Sequence, residues 1–147
     1  KGSFFSYSGV KFSPKPIQKP YPPILVGGQG TPAMRRAARL GDGWHPNGNS
    51  PDKMASRIKK LTLIAESEER PLSDLKISVR SELDILASDS ESSESPTVGS
   101  KDQILSTIDA YGKLGVQEMV FSVSTDDTER IKTVMENFAE TVMNRSK

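Results

Sequence analysis

Gly27-Gly28-Gln29-Gly30-Thr31 is the stretch of this chain with the most direct chemical potential. The apolar run Ile24-Leu25-Val26 leads into it, and Pro32-Ala33-Met34-Arg35-Arg36-Ala37-Ala38-Arg39-Leu40 leads out of it to Gly41. A strand that hands over to a helix through glycines leaves backbone amides open to close approach, because no Cβ stands in the way. The helix start adds free N–H donors and the positive end of its dipole, and Thr31 can add a hydroxyl. Such a turn fits a phosphate, and fits equally a tight turn with no ligand. Gly28 to Ala33 also satisfies the loose G-x-G-x-x-A dinucleotide pattern. That pattern needs an acidic residue closing a second strand about 20 residues on. The only candidate is Asp42, 14 positions after Gly28 and just past a helix end, so the sequence argues against a nucleotide-binding Rossmann unit. No Lys-Ser/Thr pair follows the glycines, so there is no P-loop.

His45 is the only histidine. An imidazole can act as a general base, and His45 stands at a strand end, although Pro46 and Asn47 beside it suit a plain loop. Trp44 reads as a packing residue rather than a stacking platform. Arg35 and Arg39 share a helix face at i, i+4. Arg36 could assist an anion at the helix start, but all three arginines read as solvated surface. Cysteine is absent, which excludes a disulfide framework, a thiol nucleophile and a Cys-ligated metal. No His/Asp/Glu metal constellation, Ser-His-Asp set or glycosidase-like carboxylate pair stands out, so no metal is expected.

Four strand–helix units position these residues. The first is Ile24 to Gly28 followed by a helix to Leu40, with Thr31 as expected N-cap, Pro32 at the first helical position and Gly41 as the stop. In the second, the very short strand Asp42-Gly43-Trp44-His45-Pro46 precedes a helix opened by Ser50-Pro51-Asp52 and ended by Pro71. Its Met54, Ile58, Leu61 and Ala65 form one apolar stripe. The third strand is Leu75 to Val79, with 83–86 as an extension. It is followed by the acidic serine run over 88–96 and by a helix that Ser100 and Gln103 open as a capping box. Ile104, Ile108, Tyr111 and Leu114 form that helix's inner face, and Gly115 ends it. The fourth unit is Met119 to Val123, then a helix begun by Thr125-Asp126-Asp127 with Ile131, Val134, Met135, Phe138 and Val142 on one face. Ahead of all four, residues 1–23 hold Pro14, Pro16, Pro20, Pro22 and Pro23 and read as an extended lead-in. Its Phe4, Phe5, Tyr7 and Phe12 are expected to serve as packing feet. Residues 87–99 read as a flexible loop. Alternating strands and helices imply an α/β fold with a parallel sheet. From the residues alone, a small open sheet and half of an eight-fold barrel stay equally open.

The bulk numbers bound the partners. The chain has 147 residues, enough for one domain with a core. A net charge of +1 gives no field for nucleic acid or an anionic membrane. No apolar run approaches the roughly 20 residues of a membrane span. Lys1-Gly2-Ser3-Phe4-Phe5 has neither an initiating Met nor an apolar signal region. It reads as a cut chain or one beginning inside a longer protein, with a cytoplasmic location as the expectation.

The composite is more specific than its parts. Pro22-Pro23-Ile24-Leu25-Val26-Gly27-Gly28, the Arg35-Arg36-Ala37-Ala38-Arg39 helix and Gly41-Asp42-Gly43-Trp44 together resemble the luciferase-like monooxygenase family. Phe5-Ser6-Tyr7-Ser8-Gly9 with Lys15-Pro16 and Gln18-Lys19-Pro20 is similar to that family's lead-in. Val98-Gly99-Ser100 with Ile104 to Tyr111 and Gly115-Val116 is similar to its closing passage, with Lys101 in place of the usual Pro. The resemblance covers nearly the whole chain. It implies a flavin- or deazaflavin-dependent oxidoreductase built on a TIM (β/α)8-barrel, with FMN or coenzyme F-420 as cofactor and an organic small molecule as substrate. The four units would be the C-terminal half-barrel, one domain over 1–147. Gly27, Gly28, Gln29, Gly30 and Thr31 would face the cofactor phosphate from the C-terminal end of a barrel strand. A half-barrel is expected to expose two strand edges and much apolar sheet surface, so a missing N-terminal half or a homo-oligomer should complete it. Catalysis by this half alone is expected to be weak or absent. The rival expectation is a non-catalytic, self-associating half-barrel that acts as a scaffold or binding module.

Overall fold

The structure is a computed structural model that describes residues 2–90 and 94–145. Strand β1 (Leu25–Gly27) leads to helix α1 (Thr31–Leu40), and β2 (Gly43–His45) leads to α2 (Pro51–Ser67). After a 3-10 turn at Leu72–Asp74 come β3 (Lys76–Glu82), β4 (Asp84–Ile85) and β5 (Val98–Gly99), then α3 (Lys101–Lys113), β6 (Glu118–Ser122) and α4 (Thr128–Thr141). The main sheet has the order β1-β2-β3-β6, and all its pairings are parallel. All four expected units are present, and their order is that of consecutive barrel strands. The fold is α/β, a half of a TIM barrel.

Alternation along the strands gives the sheet two faces. Val26, Trp44, Ile77, Val79 and Met119 point to the helices. There they pack with Met34, Ala37 and Ala38 of α1, with Met54, Ile58, Leu61, Ile64 and Ala65 of α2, and with Tyr111 of α3. A second cluster joins Ile104 and Leu105 of α3 to Val134 of α4 and Val142 just beyond it, and Phe121 and Phe138 meet there at 4.9 Å between ring centroids. The expected stripe Met54, Ile58, Leu61, Ala65 is buried throughout. Arg70, just beyond α2, donates to the carbonyls of Ala38 (3.2 Å) and Gly41 (2.6 Å), which satisfies acceptors at the end of α1.

The opposite face corrects an expectation. The positions facing away from the helices are Gly27, His45, Lys76, Ser78, Arg80, Glu82, Glu118 and Ser122, with Leu25 and Val120 among them. This open face is therefore polar and charged rather than apolar. Much of the exposed apolar surface lies instead in the lead-in. Phe4, Phe5, Tyr7 and Phe12 are 65–92 % exposed; the Lys15 ammonium lies 5.7 Å from the Phe12 ring centroid, and none of the four aromatics belongs to either buried cluster.

Smaller corrections follow from hydrogen-bond geometry. Gly30, not Thr31, is the N-cap of α1, and its carbonyl accepts from Ala33 and Met34. Helix α2 ends at Ser67 rather than at Pro71, where Glu69 adopts a positive φ of 56°. Residues 83–86 do not extend β3; Asp84–Ile85 pairs with Val98–Gly99 as a separate ribbon. The loop expected over 87–99 therefore stops short of β5. Thr97 in it is fully buried and donates to the Glu82 carbonyl at 2.5 Å. Glu91, Ser92 and Ser93 of the acidic serine run lie outside the described residues. Half of the expected capping box forms. Ser100 accepts from the Gln103 N–H at 3.1 Å, while the Gln103 side chain turns away to both backbone groups of Ser90. Met135 is 62 % exposed and does not share the buried face of Val134.

Candidate functional site

The 27–31 turn lies where β1 passes into α1, at the C-terminal end of the strand. Gly28 has φ +110°, and a Cβ there would stand 2.9 Å from the Ala33 side chain, so only glycine makes this turn without strain. Gly27 and Gly30 are exposed, and a Cβ on either would meet nothing closer than 3.6 Å. Among the described residues, the N–H groups of Gln29, Gly30 and Thr31 donate to no backbone carbonyl. The first turn of α1 has no acidic residue to compete for them. Free amides, a helix start and an uncluttered approach suit a phosphate.

The Gly41-Asp42-Gly43-Trp44 segment fixes that turn in place. Trp44 is fully buried against the helices, and its Nε1–H donates to the Gly28 carbonyl at 2.7 Å. With the carbonyl held inward, the amides that follow are left free. Gly43 lies so close to β3 that a Cβ would sit 2.3 Å from the Lys76 carbonyl, which no larger residue could relieve without separating the strands. Asp42 accepts the Ile24 N–H at 2.7 Å on its side chain, at the opposite end of β1 from the glycine turn. It cannot serve as the acidic residue of a dinucleotide site. Arg35, Arg36 and Arg39 are exposed, and Arg39 makes a 3.5 Å pair with Glu68.

His45 is drawn into a chain of polar contacts across the open face. Gly27 pairs with His45, the register that pairs Trp44 with Ile77 carries His45 opposite Ser78, and Ser78 pairs with Glu118. His45 Nδ1 lies 2.9 Å from Ser78 Oγ. Ser78 Oγ donates to Glu118 Oε1 at 2.8 Å, and Lys76 Nζ donates to Glu118 Oε2 at 2.5 Å. The Lys76 hydrogen bond, then that of Ser78, hold the Glu118 carboxyl below the usual glutamate range. Among the described residues no group of three or more His, Asp or Glu is placed to hold a metal ion.

Past the C-terminal ends of the strands lies a polar cleft of about 570 Å³, lined by Gln29, Asn47, Lys53, Arg80, Glu82 and Ser122 among others. Gln29 joins it to the glycine turn. Its floor is braced from the core: the Tyr111 hydroxyl donates to the Asn49 carbonyl and accepts the Asn49 N–H at 2.9 Å. Burial pushes the Tyr111 phenol up, partly offset by its hydrogen bond to Asn49.

Of the sequence-predicted site residues, Gln29 alone lines the cleft; Gly27, Gly28, Gly30 and Thr31 are not part of its lining, and His45 lies on the open face of the sheet. Sequence reasoning missed Lys76, Ser78, Arg80 and Glu118. The signal was present: Lys76-Ile77-Ser78-Val79-Arg80 alternates polar and apolar, where a strand buried in apolar surroundings on both faces would read as a continuous apolar run.

Comparison with known proteins gives a consistent picture. Residues 1–96 match the luciferase-like monooxygenase family. An uncharacterised protein of Mycobacterium tuberculosis is 43 % identical over 63 residues, 41 % of this chain and 21 % of that protein. The FMNH(2)-dependent dimethylsulfone monooxygenase of Pseudomonas putida is 32 % identical over 60 residues, 41 % of this chain and 16 % of the enzyme. The fold is shared with an F420-dependent secondary alcohol dehydrogenase in complex with an F420-acetone adduct (TM-score 0.68, 13 % identity, 97 % of this chain and 54 % of that one). It is shared also with the coenzyme F420-dependent tetrahydromethanopterin reductase of Methanopyrus kandleri (TM-score 0.64, 15 % identity, 85 % and 51 %). The chain spans about half the length of these solved structures, and its matched stretch spans about a fifth of the curated relatives.

Proposed function

The chain belongs to the luciferase-like monooxygenase family, and on that premise we propose that it supplies the C-terminal half-barrel of a flavin- or deazaflavin-dependent oxidoreductase. In this reading Gly27, Gly28, Gln29, Gly30 and Thr31 hold the phosphate of FMN or coenzyme F-420. The observation that carries it is the set of undonated N–H groups on a turn that Trp44 pins through the Gly28 carbonyl. When bound, such a cofactor supplies hydride-transfer chemistry, and the protein supplies position and surroundings. The amides fix the phosphate end, and the polar cleft from Gln29 to Ser122 receives polar parts of cofactor or substrate. A missing N-terminal half completes the barrel, the location is cytoplasmic, and this half alone turns over weakly or not at all.

The test is a binding titration of FMN and of F-420, with inorganic phosphate as competitor, against the wild-type chain and Gly28→Val. The strained φ of Gly28 means that a valine must shift the turn. The expected outcome is binding of one cofactor, relieved by phosphate, and a loss of at least about tenfold in the variant, some 1.4 kcal/mol. Equal affinity in the variant would overturn the assignment.

A second reading has its own observation. Among the described residues β1 and β6 are each paired on one side only, and the lead-in aromatics are exposed. Two copies that close on each other as a non-catalytic scaffold would cover both. A colourless dimer in solution favours that reading, and a chain that retains a coloured cofactor favours the first.

A further inference from the structure

The contacts around His45 determine which ring nitrogen carries its proton. Glu118 is held as a carboxylate by Lys76 and Ser78, and a carboxylate only accepts hydrogen bonds. The single proton of the Ser78 hydroxyl is therefore committed to Glu118 Oε1 at 2.8 Å. The 2.9 Å contact between Ser78 Oγ and His45 Nδ1 then needs its proton from the imidazole. A neutral imidazole carries one N–H, so Nε2 is left with a lone pair. Ser78 is fully buried, which shelters both of its hydrogen bonds from exchange with water. Nε2 has no hydrogen-bond partner among the described residues, and the ring stands on the open face, in the same register row as Gly27.

We propose that His45 presents an unprotonated Nε2 to the barrel interior as a hydrogen-bond acceptor for an N–H or O–H group of the ligand held at the 27–31 turn, with Ser78 and Glu118 as positioning residues that fix this tautomer. The ligand's place rests on the cofactor reading above; the tautomer and the accessibility of Nε2 do not. Lys76 completes the arrangement by keeping Glu118 ionised. The sequence Lys76, Glu118, Ser78, His45 is thus a polarised hydrogen-bond chain, built from three neighbouring strands, that ends on a free acceptor.

The sole histidine makes the test direct. The 15N-labelled chain gives one imidazole spin system, whose long-range 1H–15N correlations report which nitrogen is protonated at a pH where the ring is neutral. The wild type should show Nδ1–H and a bare Nε2. Ser78→Ala removes the acceptor for Nδ1–H, and the population should move to Nε2–H. Glu118→Gln lets the new side-chain amide donate to Ser78, so that Ser78 can donate to Nδ1, and should give the same reversal with the serine intact. That second variant covers the case in which Ser78→Ala fails to fold. A wild type that carries its proton on Nε2 overturns the proposal. In the cofactor-free chain, diethyl pyrocarbonate should modify Nε2 readily, and a ring that resists modification overturns the proposal as well. With FMN or F-420 bound, as followed by its own absorbance, Nε2 should be protected and its resonance shifted. Bound cofactor without either change would show His45 to be structural. If neither cofactor binds, the cofactor reading fails, and the two cofactor-free measurements still decide whether His45 presents a bare acceptor.

Discussion

The two faces of the four-stranded sheet obey different rules. The helix side carries Trp44, Ile77, Val79 and Met119 in a closed apolar core to which α1, α2 and α3 all contribute. The barrel side carries His45, Lys76, Ser78 and Glu118, joined by directional polar contacts rather than by apolar packing, with Arg80 on the same face. One face is satisfied within the chain; the other is arranged around an interior that this chain lines on one side only. Substitutions on the helix face should therefore act first on stability. Substitutions on the barrel face should act first on what the protein holds, with little change in how firmly it folds.

The largest break in that comparison should come from Trp44→Ala. The indole is fully buried, and large-to-small substitutions of such residues cost about 3–5 kcal/mol. For a domain that is stable by about 5–15 kcal/mol, this is a large part of the total. Denaturant unfolding followed by circular dichroism should show the midpoint falling sharply. Trp44→Phe refines the comparison: it keeps most of the apolar volume but loses the Nε1–H bond to Gly28, so cofactor affinity should fall more than stability does. If both properties fell in proportion, the pinning role of Trp44 would be wrong.

Tyr111→Phe should have an intermediate effect, because Tyr111 links the two regions. Its ring lies in the helix-side core while its hydroxyl exchanges hydrogen bonds with the N–H and carbonyl of Asn49 at the cleft. The substitution keeps the packing and leaves two backbone groups without their partner, a cost of about 1–3 kcal/mol. Amide hydrogen exchange should rise at Asn49 and its neighbours and stay unchanged in α1. Unchanged protection at Asn49 would show that the hydroxyl does not brace the cleft.

Much of the helix side was legible in the sequence. The stripe Met54, Ile58, Leu61, Ala65 has helical spacing, and apolar periodicity reports burial directly. The glycine turn was legible too, since a strand followed by Gly27, Gly28 and Gly30 and then Thr31-Pro32 has few other local solutions. The barrel side was legible only as the polar–apolar alternation of residues 76–80, and its side-chain pairings were not. Whether Ser78 meets His45 or Glu118 depends on the register between strands far apart in sequence, and no local pattern encodes that register. The same limit explains the half-formed capping box: Ser100 and Gln103 have the right spacing, but Gln103 finds a partner in Ser90 across a loop. It explains the lead-in aromatics as well, whose composition promises packing although none of them joins a buried cluster among the described residues.

The smallest effect should be that of Lys76→Met, and its pH dependence separates the faces most cleanly. Lys76 and Glu118 each keep 40 % side-chain exposure, and ion pairs this open to water contribute little to folding. The sign nevertheless follows from the lowered Glu118 pKa. The folded state holds this carboxyl ionised more strongly than the unfolded chain does, so the stabilisation is present in full above the usual glutamate value. It is lost as the pH falls through the lowered folded value, where both states are protonated. The wild type should thus exceed Lys76→Met slightly in unfolding midpoint near neutrality and lose that margin in acid, whereas the deficit of Trp44→Ala should persist at both pH values. Covering the barrel side with a second half should enlarge the Lys76→Met effect, since a pair removed from water is screened less. It should leave the cost of Trp44→Ala unchanged, because that side chain already touches no solvent.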